Sequence, residues 1–181
     1  MKNVKGQKSI IRQDIKKLKE ILTEDELNNK SQLIFSKVET DARFIHSSHV
    51  LVYWSIKGEV DTHRFINKWH GKKTFYLPAI QDENLIIKRF NGEDKLIKSN
   101  KLNLSEPAGI QIKDLSIIDL VIVPGIAFDK NNYRLGRGKA YYDMLLKNIS
   151  AIKIGVCFDI QLVDELPVEG HDIRMDIIYI G

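Results

Sequence analysis

Cysteine is almost missing from this sequence, and long apolar runs are missing altogether. Cys157 is the only cysteine in 181 residues, so no internal disulfide can form and a reducing compartment is expected. No stretch approaches the roughly 18 uncharged apolar residues that a membrane-spanning helix needs. The opening residues, MKNVKGQKSIIRQDIKKLKEIL, lack the apolar segment of a secretory signal. These absences argue against a disulfide scaffold, a membrane span and a secretion signal.

A strong excess of one charge is missing too. Lys and Arg number 28 and Asp and Glu 24, which gives a net charge of +4. So small a surplus suits an anionic small molecule such as a nucleotide and falls short of a dedicated nucleic-acid binder. Apolar residues make up 43% and charged residues 29%, as in soluble globular proteins. The length corresponds to one domain, which we place at residues 1–181.

Two helices are predicted at the start of the chain. An apolar stripe at helical spacing is formed by Ile11, Ile15, Leu18 and Leu22. A basic stripe with similar spacing contains Lys8 and Arg12, one turn apart. It indicates either a solvated face or a pair of side chains that reaches an anion. Thr23 and Glu26 have the spacing of a capping box, which predicts that a second helix begins there.

Short runs rich in β-branched and aromatic residues predict a set of strands. They are HVLVYWSI, KTFYL, NLIIKRF, IDLVIV, KIGVCF and DIIYI, and Pro78 is expected to end the second of them. A helix over about 139–148 separates the fourth and fifth strands, which predicts a right-handed βαβ unit. Because ligands bind at the carboxyl ends of such strands, the loop of residues 124–138 is expected at a binding site.

The stretch RLGRGKAYYD, residues 134–143, carries the clearest chemical signal. Gly136 and Gly138 allow backbone N–H groups to approach an anion closely, above all at the start of a helix. Arg134, Arg137 and Lys139 add positive charge that suits phosphate oxygens. The composition of the stretch alone favours phosphate binding and a plain basic turn about equally.

Carboxylates near this loop raise the possibility of a metal. Asp143 lies one helical turn beyond the glycines, where a carboxylate beside a polyphosphate is a natural magnesium ligand. Asp176 precedes the last strand and is either a second ligand or a turn residue. The loop is not a P-loop, because Ala140 stands where Ser or Thr is required. The scattered histidines do not have the spacing of a structural zinc site.

A longer segment carries a family resemblance. VPGIAFDKNNYRLGRGKAYYD, residues 123–143, combines a Pro-Gly-x-x-Phe-Asp loop with Arg-Leu-Gly-Arg-Gly and Tyr-Tyr-Asp. Flanking pieces follow in a matching order: Lys8 and Arg12, WSIKGEVDT at 54–62, Glu-Pro at 106–107 and FDIQLVDELPVEGHD at 158–172. The chain resembles the 5-formyltetrahydrofolate cyclo-ligases, also called methenyltetrahydrofolate synthetases, over essentially its whole length.

The resemblance implies a fold and a reaction. The expected fold is a three-layer α/β/α sandwich around a largely parallel mixed sheet, in a cytoplasmic protein. The implied reaction converts 5-formyltetrahydrofolate and MgATP into 5,10-methenyltetrahydrofolate, ADP and phosphate, through phosphorylation of the formyl oxygen. We expect a monomer that binds neither nucleic acid nor a membrane.

The resemblance also implies roles for particular residues. Arg134, Arg137 and Lys139 are expected to supply catalytic positive charge, and Trp54 and Glu59 to contact the folate. The implied nucleotide contacts are Lys8, Arg12, Arg134, Leu135, Gly136, Arg137, Gly138, Lys139, Ala140, Tyr141 and Tyr142. Further folate contacts are expected from Arg137, Gly138, Lys139, Ala140 and Tyr141. Asp143 and Asp176 are expected to bind magnesium.

One residue departs from the family pattern, which has glycine where this chain has Ala140. A positive φ there would strain alanine by about 1–2 kcal/mol, whereas a helical position would favour it by about 1 kcal/mol over glycine. We expect the helical alternative, with the helix beginning near Lys139.

Two other functions stay open on the residues alone. The loop could hold a sugar phosphate in a kinase or phosphosugar enzyme. The first helix and the loop could instead bind RNA, which would show as strongly salt-dependent binding without ATP turnover.

Overall fold

A computed structural model describes residues 3–82, 84–98 and 105–181. The helices are α1 (Val4–Glu20), α2 (Glu24–Thr40), α3 (Ala42–His46), α4 (His63–Trp69) and α5 (Tyr141–Leu146). The strands are β1 (His49–Leu51), β2 (Thr74–Gln81), β3 (Asn84–Arg89), β4 (Leu96–Lys98), β5 (Ser105–Pro107), β6 (Gln111–Ile112), β7 (Leu120–Val123), β8 (Ala127–Asp129), β9 (Arg134–Leu135), β10 (Ile152–Cys157), β11 (Leu162–Val163) and β12 (Ile177–Ile180). No helix within these ranges is long and apolar enough to cross a membrane.

A seven-stranded sheet in the order β12-β10-β7-β1-β2-β3-β6 forms the centre of the fold. The neighbours from β12 to β2 pair in parallel, whereas β3 pairs antiparallel with both β2 and β6. β7, α5 and β10 form the predicted βαβ unit, with β7 and β10 adjacent and parallel. The largely parallel mixed sheet predicted from the sequence is confirmed.

Helices cover both faces of this sheet. On one face α2, α3 and α4 bury Ile34, Val38, Phe44 and Phe65 against the sheet. On the other face α5 packs Leu145 and Leu146 against a second set of sheet residues. That set includes Leu51, Val121 and Val123. The arrangement confirms the three-layer sandwich.

Helix α1 packs outside these layers, beside a small sheet of order β11-β8-β9. Ile15 shares a buried cluster with Ala127, Leu135 and Leu166, so the basic stripe of α1 runs next to the glycine loop that follows β9. The capping box of α2 is present, with Thr23 and Glu26 each accepting a hydrogen bond from the other's backbone. Leu18, predicted to be in the apolar stripe, is 43% exposed.

Two strand predictions were wrong. Residues 49–56 were expected to form one strand, but β1 ends at Leu51 and the chain leaves the sheet to make the 52–62 loop. Pro78 was expected to end β2, which instead continues to Gln81. The pairing of β2 with β1 ends at Tyr76, and from there to Gln81 β2 pairs with β3. The missing N–H of Pro78 is therefore tolerated on the unpaired side of the strand.

Candidate active site

Three segments meet at the carboxyl ends of the central parallel strands. The first is the glycine loop 134–143, the second is the 52–62 loop after β1, and the third is helix α1. Arg12 Nε donates to the carbonyl oxygen of Gly136 at 2.8 Å, and Arg137 Nη2 donates to Glu59 Oε1 at 2.8 Å. These contacts bring residues that are far apart in the sequence to the sheet edge where parallel α/β proteins bind ligands.

The glycine loop has a backbone suited to an anion. Gly138 has φ +105°, a conformation that side chains rarely adopt. Gly136 leaves no room for a side chain, because an added Cβ would lie only 2.7 Å from Arg134 Nη1. Within the described ranges, none of the N–H groups of residues 137–140 donates a hydrogen bond to the protein. Exposed, unpaired N–H groups in such a turn form a concavity that binds phosphate.

The expectation for Ala140 was wrong. Helix α5 begins at Tyr141, and Ala140 caps it in the left-handed region with φ 52° and ψ 15°. The positive φ at Ala140 lets the chain turn from the glycine loop into α5, and local helix propensity does not outweigh that demand. Alanine in this conformation costs about 1–2 kcal/mol.

Ala140→Gly is therefore expected to stabilise the protein by about 1 kcal/mol, since relief of strain exceeds the added freedom of the unfolded chain. Urea unfolding measures the change. Ala108→Gly is the matched control, because Ala108 is exposed and does not have a positive φ. The free energy of unfolding of the control is expected to fall by about 0.5–1 kcal/mol. An equal fall in Ala140→Gly would contradict the claim that the backbone is strained at Ala140.

Three cations lie on the glycine loop or beside it. Arg137 has a side chain that is 60% exposed although it pairs with Glu59, and Lys139 is exposed beside the ring of Tyr141. The guanidinium of Arg12 reaches from α1 to within 3.6 Å of the position of a Cβ on Gly138. These groups together can neutralise several phosphate oxygens.

Arg134 and Asp143 differ from this expectation. Arg134 Nη2 donates to Asp143 Oδ2 at 2.7 Å, and the two side chains are only 4% and 9% exposed. The guanidinium also lies 5.5 Å from the ring of Tyr142, and Asp143 Oδ1 accepts the N–H of Ile173 at 3.3 Å. Both groups lie in the interior, because β9 directs Arg134 inward. Their ion pair forms a brace: it connects the start of the glycine loop to helix α5 and so fixes the loop.

Asp176 and Asp143 have different partners. Its Oδ2 accepts the N–H of Lys153 at 2.7 Å, and it directly precedes β12, at the amino end of the strands. Among residues 3–82, 84–98 and 105–181, no three His, Cys, Asp or Glu side chains cluster as metal ligands. In this structure the Asp143 carboxylate pairs with Arg134 and the Asp176 carboxylate accepts a backbone N–H, so each expected magnesium ligand has its own protein partner.

Lys8 and Trp54 are also engaged with other protein groups. Lys8 Nζ donates to Glu169 at 2.9 Å and to Asp172 at 2.7 Å, so it ties α1 to the 164–176 segment. Trp54 stacks on the ring of His63 with centroids 4.0 Å apart, so that face of the indole is covered. Glu59, in contrast, lies in the cleft with one oxygen on Arg137 and the other accepting the N–H of Ile56.

Sequence reasoning missed two residues that shape the site. Lys19 Nζ donates to the carbonyl oxygen of Gly58 at 2.7 Å, next to Glu59. Gln161 Nε2 donates to the carbonyl oxygens of Gly125 and Ile126 and so holds the loop after β7. Lys19 lies on the same stripe of α1 as Arg12, which was the available signal. Gln161 lies in the segment at 158–172 that carries part of the family resemblance, but no pattern within that segment singles it out.

Comparison with known proteins identifies the family of the chain. A model of the 5-formyltetrahydrofolate cyclo-ligase family matches residues 4–181. The chain belongs to the 5-formyltetrahydrofolate cyclo-ligase family. A protein of that name from Escherichia coli (strain K12) is 31% identical over 174 residues, which cover 91% of this chain and 94% of the relative. Its Mus musculus namesake is 26% identical over 188 residues, with 96% and 93% covered.

A solved structure supports the cyclo-ligase fold of the chain. The NMR structure of Aquifex aeolicus 5,10-methenyltetrahydrofolate synthetase superposes with a TM-score of 0.86 at 31% identity. The superposition covers 96% of this chain and 89% of that one. The family match spans α1, the 52–62 loop and the glycine loop, so every segment that builds the cleft lies within the cyclo-ligase part of the chain.

Proposed function

We propose that this protein uses MgATP to cyclise 5-formyltetrahydrofolate to 5,10-methenyltetrahydrofolate, with release of ADP and phosphate. The observation that carries the proposal is the 2.8 Å contact between Arg137 and Glu59. It joins an anion-binding loop to a carboxylate in a neighbouring loop. A phosphate on the first and a folate on the second would therefore lie side by side.

The nucleotide half consists of the glycine loop and its cations. The unpaired N–H groups of residues 137–140 would receive phosphate oxygens, and Arg12, Arg137 and Lys139 would neutralise their charge. Magnesium enters with the nucleotide as MgATP, since phosphates commonly supply much of its coordination. Arg134 and Asp143 would not contact the nucleotide. Their buried ion pair would fix the loop on which the N–H groups lie.

The folate half centres on Glu59. A carboxylate accepts hydrogen bonds from the N–H groups of a pterin, and Glu59 is only 17% exposed, which strengthens such bonds. Trp54 stacks with the rings of both His63 and Phe90, so it would offer folate only the edge of its indole. Binding of folate would replace Arg137 as the partner of Glu59 and free the guanidinium for phosphate.

The reaction then needs positioning more than covalent catalysis. The formyl oxygen attacks the γ-phosphorus, the bond to ADP breaks, and the oxygen becomes a phosphate ester. Nitrogen 10 attacks the formyl carbon, the carbon–oxygen bond breaks, phosphate leaves, and the proton of nitrogen 10 passes to solvent. Arg137 and Lys139 stabilise the charge that develops on the transferred phosphoryl group. We propose that one chain suffices, since every group named belongs to it, and that it acts in the cytoplasm, a reducing compartment that suits a chain with one cysteine.

A spectrophotometric assay tests this function. Purified protein with MgATP and 5-formyltetrahydrofolate is expected to produce the near-ultraviolet band of the methenyl product, and no band without ATP. ATP hydrolysis should rise with 5-formyltetrahydrofolate and not with sugars or sugar phosphates. ATP turnover that responds only to sugars would replace the proposal with a kinase. Salt-dependent RNA binding without turnover would replace it with an RNA-binding module.

A further inference from the structure

Lys19 is a partly buried cation at the edge of the cleft. It lies on α1, and its ammonium donates to the carbonyl oxygen of Gly58 at 2.7 Å. The same ammonium is 5.6 Å from the centre of the Phe158 ring, which follows β10. Lys19 therefore links α1 and the end of β10 to the turn that carries Glu59.

The turn that Lys19 holds is tightly built. Gly58 has φ +83°, the N–H of Glu59 donates to Ile56 at 3.0 Å, and a Glu59 oxygen accepts the N–H of Ile56 at 3.1 Å. A shift of the Gly58 carbonyl would therefore move the Glu59 carboxylate. Lys57 also reaches from this turn, to Glu24 at 2.9 Å, but both side chains are more than three-quarters exposed, so that pair contributes little.

The charge of Lys19 is sensitive to pH near neutrality. Burial lowers its pKa to about 8, although Glu59 raises the pKa and Arg137 lowers it further. Cys157 faces it from the end of β10, and burial raises the pKa of that thiol to about 12, so the thiol stays neutral when Lys19 titrates. The groups that face Lys19 from the turn, the glycine loop and β10 are thus Glu59, Arg137 and Cys157.

We propose that Lys19 is a positioning residue for folate: its ammonium fixes the Gly58 carbonyl and so aims Glu59 at the substrate. The inference rests on the proposed cyclo-ligase reaction. Helix α1 then has two roles: Arg12 contacts the glycine loop proposed to bind the nucleotide, and Lys19 contacts the turn that carries Glu59, proposed to bind folate. A hydrogen bond from a charged donor is about twice as strong as a neutral one. Loss of the charge should therefore weaken folate binding more than ATP binding.

Three variants test the inference: Lys19→Met, Lys19→Arg and the control Lys57→Met. Lys19→Met is expected to lower kcat/KM for 5-formyltetrahydrofolate about tenfold, the effect of losing one charge-assisted hydrogen bond. The KM of the same variant for ATP should differ from the wild-type value by less than about twofold. Lys19→Arg should recover most of the loss, and Lys57→Met should match the wild type. Equal kinetics for Lys19→Met and Lys57→Met would overturn the inference.

The pH profile separates positioning from a structural role. The folate kcat/KM of the wild type, divided by that of Lys19→Arg, is expected to fall severalfold as pH rises through about 8, because arginine keeps its charge. Folding stability should move the other way. The unfolded chain binds this proton up to a higher pH than the folded one, so stability rises as the pH increases from about 8 toward 10.5, the ordinary pKa of lysine. A ratio that stays flat would overturn the inference, even if Lys19→Met failed to fold.

Failure of the inference and failure of the proposed function give different results. If the wild type makes no methenyl product, the cyclo-ligase proposal fails. If the wild type is active and Lys19→Met has unaltered folate kinetics, only the role of Lys19 fails.

Discussion

Replacing Arg137 with alanine is expected to reduce kcat by about 100- to 1000-fold, the cost of removing one preorganised donor to developing charge. The side chain is 60% exposed, so its ion pair with Glu59 adds little to folding. The free energy of unfolding is therefore expected to change by less than about 0.5 kcal/mol. Steady-state kinetics at saturating MgATP and folate, with urea unfolding of the same sample, measures both quantities.

Arg89→Ala is the matched control for this variant. Arg89 is an exposed arginine at the end of β3, in a surface depression with Ser48 and Thr74 at the amino ends of β1 and β2. It should retain wild-type kcat. Full activity in Arg137→Ala would remove Arg137 from the proposed chemistry. An equal loss in both variants would mean that positive charge anywhere on the surface serves as well.

Replacing Arg134 with alanine is expected to lower the free energy of unfolding by about 3–5 kcal/mol, because a buried carboxylate loses its partner. The side chains of Arg134 and Asp143 are 4% and 9% exposed, so solvent cannot take over that role. Urea unfolding measures the loss. Activity should fall with stability, since the pair braces the loop that carries Arg137.

A double variant, Arg134→Met with Asp143→Leu, sharpens this prediction. Replacing a buried ion pair by apolar residues of similar volume is often neutral for stability, so the double variant should recover most of the stability lost in Arg134→Ala. An Arg134→Ala protein as stable as the wild type would contradict the stabilising role of the Arg134–Asp143 ion pair. A double variant no more stable than the single one would show that the pair has further partners.

The features that the sequence predicted best are set by local chemistry. The capping box at Thr23 depends on residues three apart, and both of its hydrogen bonds are present. The four residues of β7 are all buried, as an uninterrupted apolar run indicates. Gly138 has the positive φ that a phosphate-binding turn requires. Each of these follows from a few consecutive residues.

The features that sequence reasoning predicted wrongly, or missed, depend on contacts between distant segments. Glu59 and Arg137 were each expected to contact folate, but their ion pair was not predicted, because they are 78 positions apart and no periodicity relates them. Arg134 looked like Arg137 in the sequence, yet the small sheet of β8 and β9 directs it inward onto Asp143. Ala140 looked helical because alanine favours helices, but the loop before it imposes a left-handed backbone. Tertiary structure decided each of these positions.

The measurement that tests the account most directly follows the formyl oxygen. The enzyme is given 5-formyltetrahydrofolate labelled with oxygen-18 in the formyl group, together with unlabelled MgATP and water. If the glycine loop delivers the γ-phosphoryl group to that oxygen, the released inorganic phosphate should carry one labelled oxygen for each methenyl product formed. Methenyl product accompanied by unlabelled phosphate would contradict phosphorylation of the formyl group, and with it the proposed arrangement of ATP beside folate.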